Sequence, residues 1–313
     1  MQDQAISADV KATRKDFYAK IGKQSHAPLW EVLKGLVPEH PTSKFAPHVW
    51  KYADSRPLLL EAGKLLTAEE AERRVLVLEN PSMPGGSRLT ATMFAGLQMI
   101  MPGEIAPAHR HTAGALRMVL EGNGGYTAVA GEKTTMSRGD LVITPSMTWH
   151  DHGQESDKPC IWVDGLDLHM VNFYEAAFMD HMNDKSQILT KTEGQSVSEF
   201  GSGLGPMTPH SPFGLTTPIF NYSYARSRPS LMQVAANTKP DAHLGYALRY
   251  LNPLNGDWAM PTIAGTQRGS SRSAAWNDFI ASTLHVWQRP SRNISPHAVW
   301  ISGSRAAAVA ASR

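Results

Sequence analysis

Two histidines separated by one residue, His109 and His111, are the most suggestive pair for chemistry in this chain. In an extended strand alternate side chains share a face, so the two imidazoles would project together while Arg110 points away. A third imidazole, His150, follows short apolar runs that could return the chain to a neighbouring strand. Three neutral imidazoles can hold one iron, zinc, copper or nickel ion and leave coordination positions open. A His-x-His pair alone is more often a surface pair, so these three histidines are at this point candidates for a metal site.

The segments around these histidines are typical of short β-strands. From Arg74 onward, runs such as "GALRMVLEG" and "GDLVITP" alternate with Gly, Pro and Asn turns. Many short strands at this spacing predict a sandwich or barrel. Before Arg74 the pattern is helical: "LWEVLKGLV" has apolar residues at helical spacing, and Thr67 with Glu70 forms a capping box. The expected class is mainly β with a helical N-terminal region.

The residues around the histidines resemble the two signature motifs of the cupin family. The first motif, Gly-x5-His-x-His-x3-Glu-x6-Gly, fits residues 103–122, with Ala115 where the family has a glutamate ligand. The second motif, Gly-x5-Pro-x-Gly-x2-His, fits residues 139–150, with Met147 in place of its second glycine. The resemblance implies a double-stranded β-helix, or jelly-roll, barrel. The missing glutamate implies a site with three histidine ligands.

Longer phrases resemble gentisate 1,2-dioxygenase and the related salicylate and 1-hydroxy-2-naphthoate dioxygenases. They include "AGLQMIMPGEIAPAHRHT", "TWHDHG" and "WVDGLD", and the resemblance extends over roughly residues 30–265. It implies a two-cupin, Fe(II)-dependent, homotetrameric enzyme of aromatic catabolism that converts gentisate and O2 to maleylpyruvate. Two alternatives stay open: salicylate or 1-hydroxy-2-naphthoate as the substrate, or a truncated, inactive cupin that only binds an aromatic acid.

The same resemblance implies which residues form the site. The implied metal ligands are His109, His111 and His150. The implied catalytic groups are Arg117, His152 and Asp164, and the implied substrate-binding groups are Gln98, Arg73, Arg74 and Arg117. An arginine can bind the carboxylate of a hydroxybenzoate, and His152 could orient dioxygen or take the phenolic proton.

Some of these residues have simpler interpretations from the sequence alone. Arg117 could be an ordinary exposed strand residue, and Asp164 could cap a turn in "VDGLD". Gln98 lies in the apolar run "FAGLQMIM", where a polar group needs a partner, and this favours a pocket role.

Composition shifts divide the chain into five segments. We expect a helical region at 1–73, a metal-binding cupin at 74–171, a linker at 172–212, the start of a second cupin at 213–265 and an atypical tail at 266–313. The tail has neither helical nor strand periodicity, so we expect the second cupin to be incomplete. Our hypothesis is that the tail is not family sequence, for example because of a change of reading frame.

Overall composition limits the remaining classes of function. The single cysteine, Cys160, excludes an internal disulfide and fits a reducing compartment. The polar N-terminus predicts no signal peptide, and no apolar run is long enough for a membrane span. Six arginines and one aspartate give residues 266–313 a charge of +5 and leave −3 for the rest, but the arginines are scattered. We expect a cytoplasmic protein whose partners are a small aromatic hydroxy acid and O2, with no nucleic acid or membrane.

Overall fold

Two helices form the first of the two units into which the described chain divides. The computed structural model describes residues 8–40, 42–208, 210–242, 244–269, 281–285, 298–301 and 308–312. The units are residues 1–44 and 45–313. In the first unit, α1 is Ala8–Gly22 and α2 is Leu29–Leu36. None of the described helices combines the length and apolar content that crossing a bilayer requires.

The second unit is mainly strand, as predicted. Its helices are α3 Tyr52–Leu65, α4 Ala68–Ala71, α5 Leu168–Phe173, α6 Gln195–Phe200 and α7 Tyr224–Asn237. Its strands up to the end of the barrel are β1 His48–Lys51, β2 Val75–Val77, β3 Phe94–Ile100, β4 Ile105–His111, β5 Ala115–Glu121, β6 Asn123–Val129, β7 Glu132–Ser137, β8 Leu141–Thr144, β9 His150–Gln154 and β10 Cys160–Leu166. The later strands are β11 Met179–His181, β12 Asn221–Tyr222, β13 Tyr246–Arg249, β14 Ala264–Gly269, β15 Ala281–His285, β16 Ala298–Ile301 and β17 Ala308–Ser312.

Local signals in the N-terminal region agree in part with the structure. Helix α4 begins with the predicted capping box: the Thr67 hydroxyl accepts from the Glu70 amide, and the Glu70 carboxylate accepts from the Thr67 amide. The short strand β1 lies inside the region expected to be helical and pairs with β17. Pairing with a strand that lies more than 250 residues away along the chain is a long-range contact that local periodicity does not encode.

Two antiparallel sheets face each other to form the predicted jelly-roll barrel. One sheet has six strands in the order β12-β8-β5-β10-β3-β2, and the other has five in the order β11-β4-β9-β6-β7. Apolar side chains from both sheets meet between them: Ile100, Val119, Val142 and Trp162 from the first, and Ala106 and Met136 from the second. This interior is where the site residues also project.

The six-stranded sheet is buried on both faces. Its other face, here called the outer face, packs against α3 and against residues 250–263 in one large apolar cluster. The strand residues in that cluster are Leu97, Met99, Leu116, Met118, Leu141, Ile143, Ile161 and Val163. Sheets covered on both faces have strands that are almost continuously apolar, which explains sequences such as "ALRMVLE". A charged residue within such a strand is therefore unusual and indicates a candidate functional site.

Motif positions that favour glycine have backbone conformations that explain the preference. Gly122 lies at the turn from β5 to β6 with φ 98°, and a Cβ there would lie 2.6 Å from the Pro159 carbonyl oxygen. Met147, which replaces the glycine of the second motif, keeps a left-handed φ of 56°. Its amide donates to the His111 carbonyl at 2.8 Å, so the turn before His150 stays attached to the first motif.

The segments beyond the barrel have defined structure where they are described. Within 172–212, β11 pairs with β4, so the expected linker also extends the five-stranded sheet. Within 213–265, α7 precedes β13, which pairs with β14. Strands β15 to β17 fall within 266–313, but most of that segment lies outside the described residues. The atypical tail and the incomplete second cupin therefore stay predictions.

Candidate metal centre and substrate pocket

The three motif histidines come together on the five-stranded sheet. His109 lies directly opposite His150 in the antiparallel pair of β4 and β9, and His111 follows two residues along β4 on the same face. The register shifts between Ala106 and His109, so β4 bulges immediately before the pair. The candidate ligand atoms of the three rings all lie within 4.8 Å of one another. Among the described residues this is a group of metal-ligating side chains that could hold an ion, as its spacing predicted.

Backbone carbonyls orient two of the three rings. The Nδ1 atoms of His111 and His150 lie 2.7 Å and 2.8 Å from the carbonyl oxygens of Ala113 and Thr148. A carbonyl only accepts, so Nδ1 carries the proton in both rings and Nε2 keeps its lone pair. The buried Nε2 of His150 has no hydrogen-bond partner. A buried nitrogen with a free lone pair, in a ring oriented from behind, is the arrangement that a metal ligand requires.

Burial keeps the histidines neutral. It lowers the pKa of His109 to about 2 and that of His111 to about 4, and it lowers the pKa of His150 well below its usual value. The positive charge of Arg117 acts in the same direction on all three rings. Neutral imidazoles are the form that binds metal ions, so the donor set fits a divalent cation such as iron without any titration at neutral pH.

Arg117 lies inside the barrel rather than at the surface. It is 3% exposed, between Leu116 and Met118 of the outer face, so strand alternation turns it inward. Its Nη1 donates to the Thr144 hydroxyl at 2.6 Å. Its Nε lies 3.2 Å from Asp164 Oδ1 in an ion pair whose angle does not make it a hydrogen bond. The exposed-residue interpretation of Arg117 therefore does not apply.

Asp164 is the buried partner of this arginine. It lies opposite Arg117 in the pairing of β10 with β5, and it accepts from the Trp162 indole at 3.0 Å. Burial raises the pKa of Asp164 to about 6, while the Arg117 charge opposes that rise. Asp164 therefore holds Arg117 in place inside the barrel rather than capping a turn.

The two neighbouring arginines, Arg73 and Arg74, point to different places. The Nη2 atom of Arg73 contacts Nδ1 of His109, lies 3.3 Å from Nε2 of the same ring, and donates to the Pro107 carbonyl at 2.6 Å. Burial lowers the pKa of Arg73 to about 10. Arg74 instead makes two bonds to Glu104, at 2.8 Å and 2.6 Å, and two to the Leu66 carbonyl. Of the two candidates, only Arg73 reaches the histidines.

His152 and Gln98 also face the interior. His152 is fully buried, its Nδ1 lies 2.9 Å from the Thr127 hydroxyl oxygen, and its Nε2 has no hydrogen-bond partner. That hydroxyl also donates to the Met136 sulfur at 3.4 Å, so Nδ1 of His152 carries the proton and donates to it. Gln98 is 3% exposed and pairs across the sheet with Trp162, an interior residue.

Two threonines that support the site were missed by sequence reasoning. Thr127 holds His152 and Thr144 holds Arg117. Each is a polar residue at an inward-facing position of an otherwise apolar strand, in "GYTAVA" and "LVIT". That signal was present, but threonine is so common in strands that it carries little information without the fold.

Comparisons with known proteins agree with this geometry. A family model described as a cupin domain matches residues 96–166, which include the three histidines. Gentisate 1,2 dioxygenase 1 of Aquipseudomonas alcaligenes is 48% identical over 255 residues, which cover 82% of this chain and 73% of that relative. Gentisate 1,2-dioxygenase of a Ralstonia species is 38% identical over 246 residues, or 78% of this chain and 68% of the relative.

A solved structure extends the comparison to three dimensions. Salicylate 1,2-dioxygenase from Pseudoaminobacter salicylatoxidans, in its adduct with gentisate, superposes with a TM-score of 0.74 at 32% identity. The match covers 85% of this chain and 74% of that enzyme. The similarity therefore includes the barrel and most of the described chain around it.

Proposed function

The chain belongs to the gentisate 1,2-dioxygenase family of ring-cleaving oxidoreductases, and from that premise we propose that it converts gentisate and O2 to maleylpyruvate. In this reaction the ring bond between the carboxyl-bearing and the adjacent hydroxyl-bearing carbon breaks, and both oxygen atoms enter the product. Gentisate is the proposed substrate because relatives at 48% and 38% identity are named for it.

The observation that carries the proposal is the cluster of His109, His111 and His150. Three buried, neutral imidazoles with ligand atoms within 4.8 Å of one another fit one divalent ion, and we propose Fe(II). Bound there, Fe(II) would supply the coordination of substrate and dioxygen and the electron transfer between them. Because Ala115 stands where cupins have a glutamate ligand, this chain would supply one ligand fewer to the ion, which would leave a position for the substrate.

Two arginines would bind the substrate carboxylate. Arg117 is held rigidly by Thr144 and Asp164, so its charge is positioned before the substrate arrives. Arg73 lies against His109, where a cation on Nε2 would repel its guanidinium. We therefore propose that Arg73 turns from this ring toward the substrate carboxylate when the site is loaded. Arg74, engaged by Glu104, has a structural role.

His152 and Gln98 would act on the phenolic part of the substrate. His152 carries its proton on Nδ1 and keeps a free lone pair on the buried Nε2, so it can accept a hydrogen bond from a phenol. Burial lowers the pKa of His152 well below its usual value, so the ring stays neutral and accepts a hydrogen bond from the phenol rather than its proton. The Gln98 amide offers a hydrogen bond to a ring hydroxyl. Asp164 contributes indirectly by holding Arg117.

The wider organisation of the protein is also a proposal. We propose a metal-binding cupin at 74–171, followed by part of a second cupin whose strands begin within 213–265. On the family resemblance we propose a homotetramer, and the single cysteine supports a reducing, cytoplasmic compartment.

One experiment tests the reaction. Metal-free protein is reconstituted with Fe(II) and mixed in air with gentisate, salicylate or 1-hydroxy-2-naphthoate, while oxygen uptake and ring-opened product are measured. We expect uptake to be fastest with gentisate. Uptake with salicylate alone would reassign the substrate, and a folded, iron-loaded protein without uptake on any of the three would defeat the enzyme proposal. A His109→Ala variant that still binds iron and turns over would overturn the ligand assignment.

A further inference from the structure

We infer that Thr262 and Asp167 position the proposed metal ligand His111 through bonds to other residues. The inference rests on the proposed function, because it concerns the orientation of a ligand in that metal site. The connection passes through residues 112–114, here called the ligand loop. His111 Nδ1 donates to the Ala113 carbonyl at 2.7 Å, so the place of this loop sets the angle of the imidazole ring.

Asp167 holds the ligand loop from the end of β10. Its Oδ1 accepts from the Gly114 amide at 2.8 Å, and its Oδ2 accepts from the Thr262 hydroxyl at 2.6 Å. The residue is 7% exposed, so its carboxylate depends on protein partners rather than on water. With one bond to each oxygen, Asp167 has little freedom to move, and the ligand loop has a fixed attachment.

Thr262 comes from a part of the chain that is remote in sequence from the motif histidines. It lies just before β14, and its neighbours Met260 and Ile263 are buried in the outer cluster. Met260 also packs closely against Gly114 of the ligand loop. A Cβ at position 114 would lie only 3.0 Å from Met260 Cε. This segment therefore supports the loop in two ways, by a hydroxyl that donates to Asp167 and by close packing that a glycine allows.

The ligand loop is also attached to the turn before the third histidine. The Ser146 hydroxyl donates to the Thr112 carbonyl at 2.6 Å, and the Met147 amide donates to the His111 carbonyl at 2.8 Å. These bonds couple the loop to His150, whereas Asp167 and Thr262 couple it to the chain that follows the barrel. The described residues 250–263 thus contribute to a site whose ligands all lie in the first cupin.

Loss of the Thr262 hydroxyl would leave one Asp167 oxygen without its donor and loosen the ligand loop. Mutating a direct partner of a metal ligand typically changes metal affinity by about 10–100-fold. Thr262 acts through Asp167 and the loop, so we expect Thr262→Val to weaken Fe(II) and Co(II) binding by about 3- to 10-fold. The metal-bound spectrum should change as well, because the angle of one ligand is no longer fixed.

The test compares three variants of the full chain. Thr262→Val removes the hydroxyl, Thr262→Ser restores it, and Thr217→Val is the matched control. Thr217 is buried in the later part of the chain, and its hydroxyl oxygen lies 2.7 Å from the Tyr222 hydroxyl oxygen and accepts from the Ile219 amide. Dissociation constants for Co(II) and Fe(II) are measured by equilibrium dialysis, together with the visible absorption spectrum of the Co(II) form.

We expect weaker binding and an altered spectrum for Thr262→Val alone, with wild-type values for Thr262→Ser and Thr217→Val. A Thr262→Val protein with wild-type affinity and spectrum would overturn the inference, and so would an equal loss in Thr217→Val. If Thr262→Val does not fold, Thr262→Ala, which also lacks the hydroxyl but needs less room, decides the same comparison. A wild-type protein that binds neither ion overturns the proposed metal site, and this inference with it.

Discussion

The two faces of the six-stranded sheet use the same strands for different purposes. On the outer face, residues such as Leu116 and Ile161 join a continuous apolar cluster with α3. On the inner face the neighbouring residues, Arg117 and Trp162, turn toward the histidines. Both faces are buried, and the inner one contains the ion pair of Arg117 and Asp164 deep in the barrel.

This difference separates stability from chemistry within each strand. Burial of apolar surface stabilises a fold in proportion to the buried area, and the large apolar cluster on the outer face supplies such burial. Buried charges stabilise little and are costly unless they are paired, so the inner face requires Asp164 to accompany Arg117. Because successive side chains of a strand point to opposite faces, one strand can contribute to the apolar cluster and to the site with alternate residues.

The largest effect is expected from a ligand on the inner side of the barrel. His150→Ala should lower turnover of the Fe(II)-loaded protein by about a thousandfold or more. Mutation of a residue that only supports a metal ligand already lowers metal affinity or activity by ~10–100-fold. His150→Ala should also abolish the rise in melting temperature that Fe(II) gives the wild type, because a ligand stabilises only the state that binds it. Thermal unfolding with and without Fe(II), beside turnover, measures both; a His150→Ala protein that is still stabilised by Fe(II) would contradict the assignment.

The next effect belongs to the outer face and concerns stability. Leu116→Ala removes a side chain that is 1% exposed, and the resulting cavity should lower the free energy of unfolding by about 2–5 kcal/mol. Turnover at temperatures where the variant is folded should stay near the wild-type value. Denaturant unfolding and kcat are the measurements, with Leu116→Met as the volume-conserving control. A collapse of kcat in the folded variant would show that the two faces are not separable.

A smaller effect is expected at the adjacent inward position. Arg117→Lys keeps the charge but loses the planar group that meets Thr144 and Asp164, so KM for gentisate should rise by about 10–100-fold, which corresponds to the loss of one charged hydrogen bond. The value of kcat should fall less. Met118→Leu, one residue along on the outer face, is the control and should leave KM unchanged. Equal KM changes in the two variants would remove the distinction between the faces.

The smallest expected effect is a pH dependence on the inner face. Because burial raises the pKa of Asp164 to about 6, this carboxyl is charged at neutral pH and becomes neutral as the pH falls through that value. Its ion pair with Arg117 then weakens, so kcat/KM should fall a few-fold on the acid side. In Asp164→Asn, kcat/KM should already be lower at neutral pH and lack this acid limb. An unchanged acid limb in that variant would assign the titration to another group.

Much of the site was readable from the sequence because its signals are local. His109, His111 and His150 lie at fixed motif spacings, and the strands around them have the expected alternation of turns and apolar runs. The cupin fold and the family were predicted from these stretches and are confirmed by the comparisons. The capping box at Thr67 is correct for the same reason, since its partners are three residues apart.

Other features depended on contacts that no local pattern encodes. Arg74 bonds to Glu104, and this tertiary contact leaves Arg73 as the arginine near the histidines. Arg117 faces the barrel interior because its neighbours Leu116 and Met118 belong to the outer cluster. The Thr262 hydroxyl donates to Asp167 across 95 positions of the chain, and the Gly114 amide of the ligand loop donates to Asp167 across 53 positions. The sequence by itself determined the candidate ligands and the barrel, because spacing and alternation act between near neighbours. Only the tertiary structure decided which polar groups hold those ligands in place, because such pairs form after distant strands have packed.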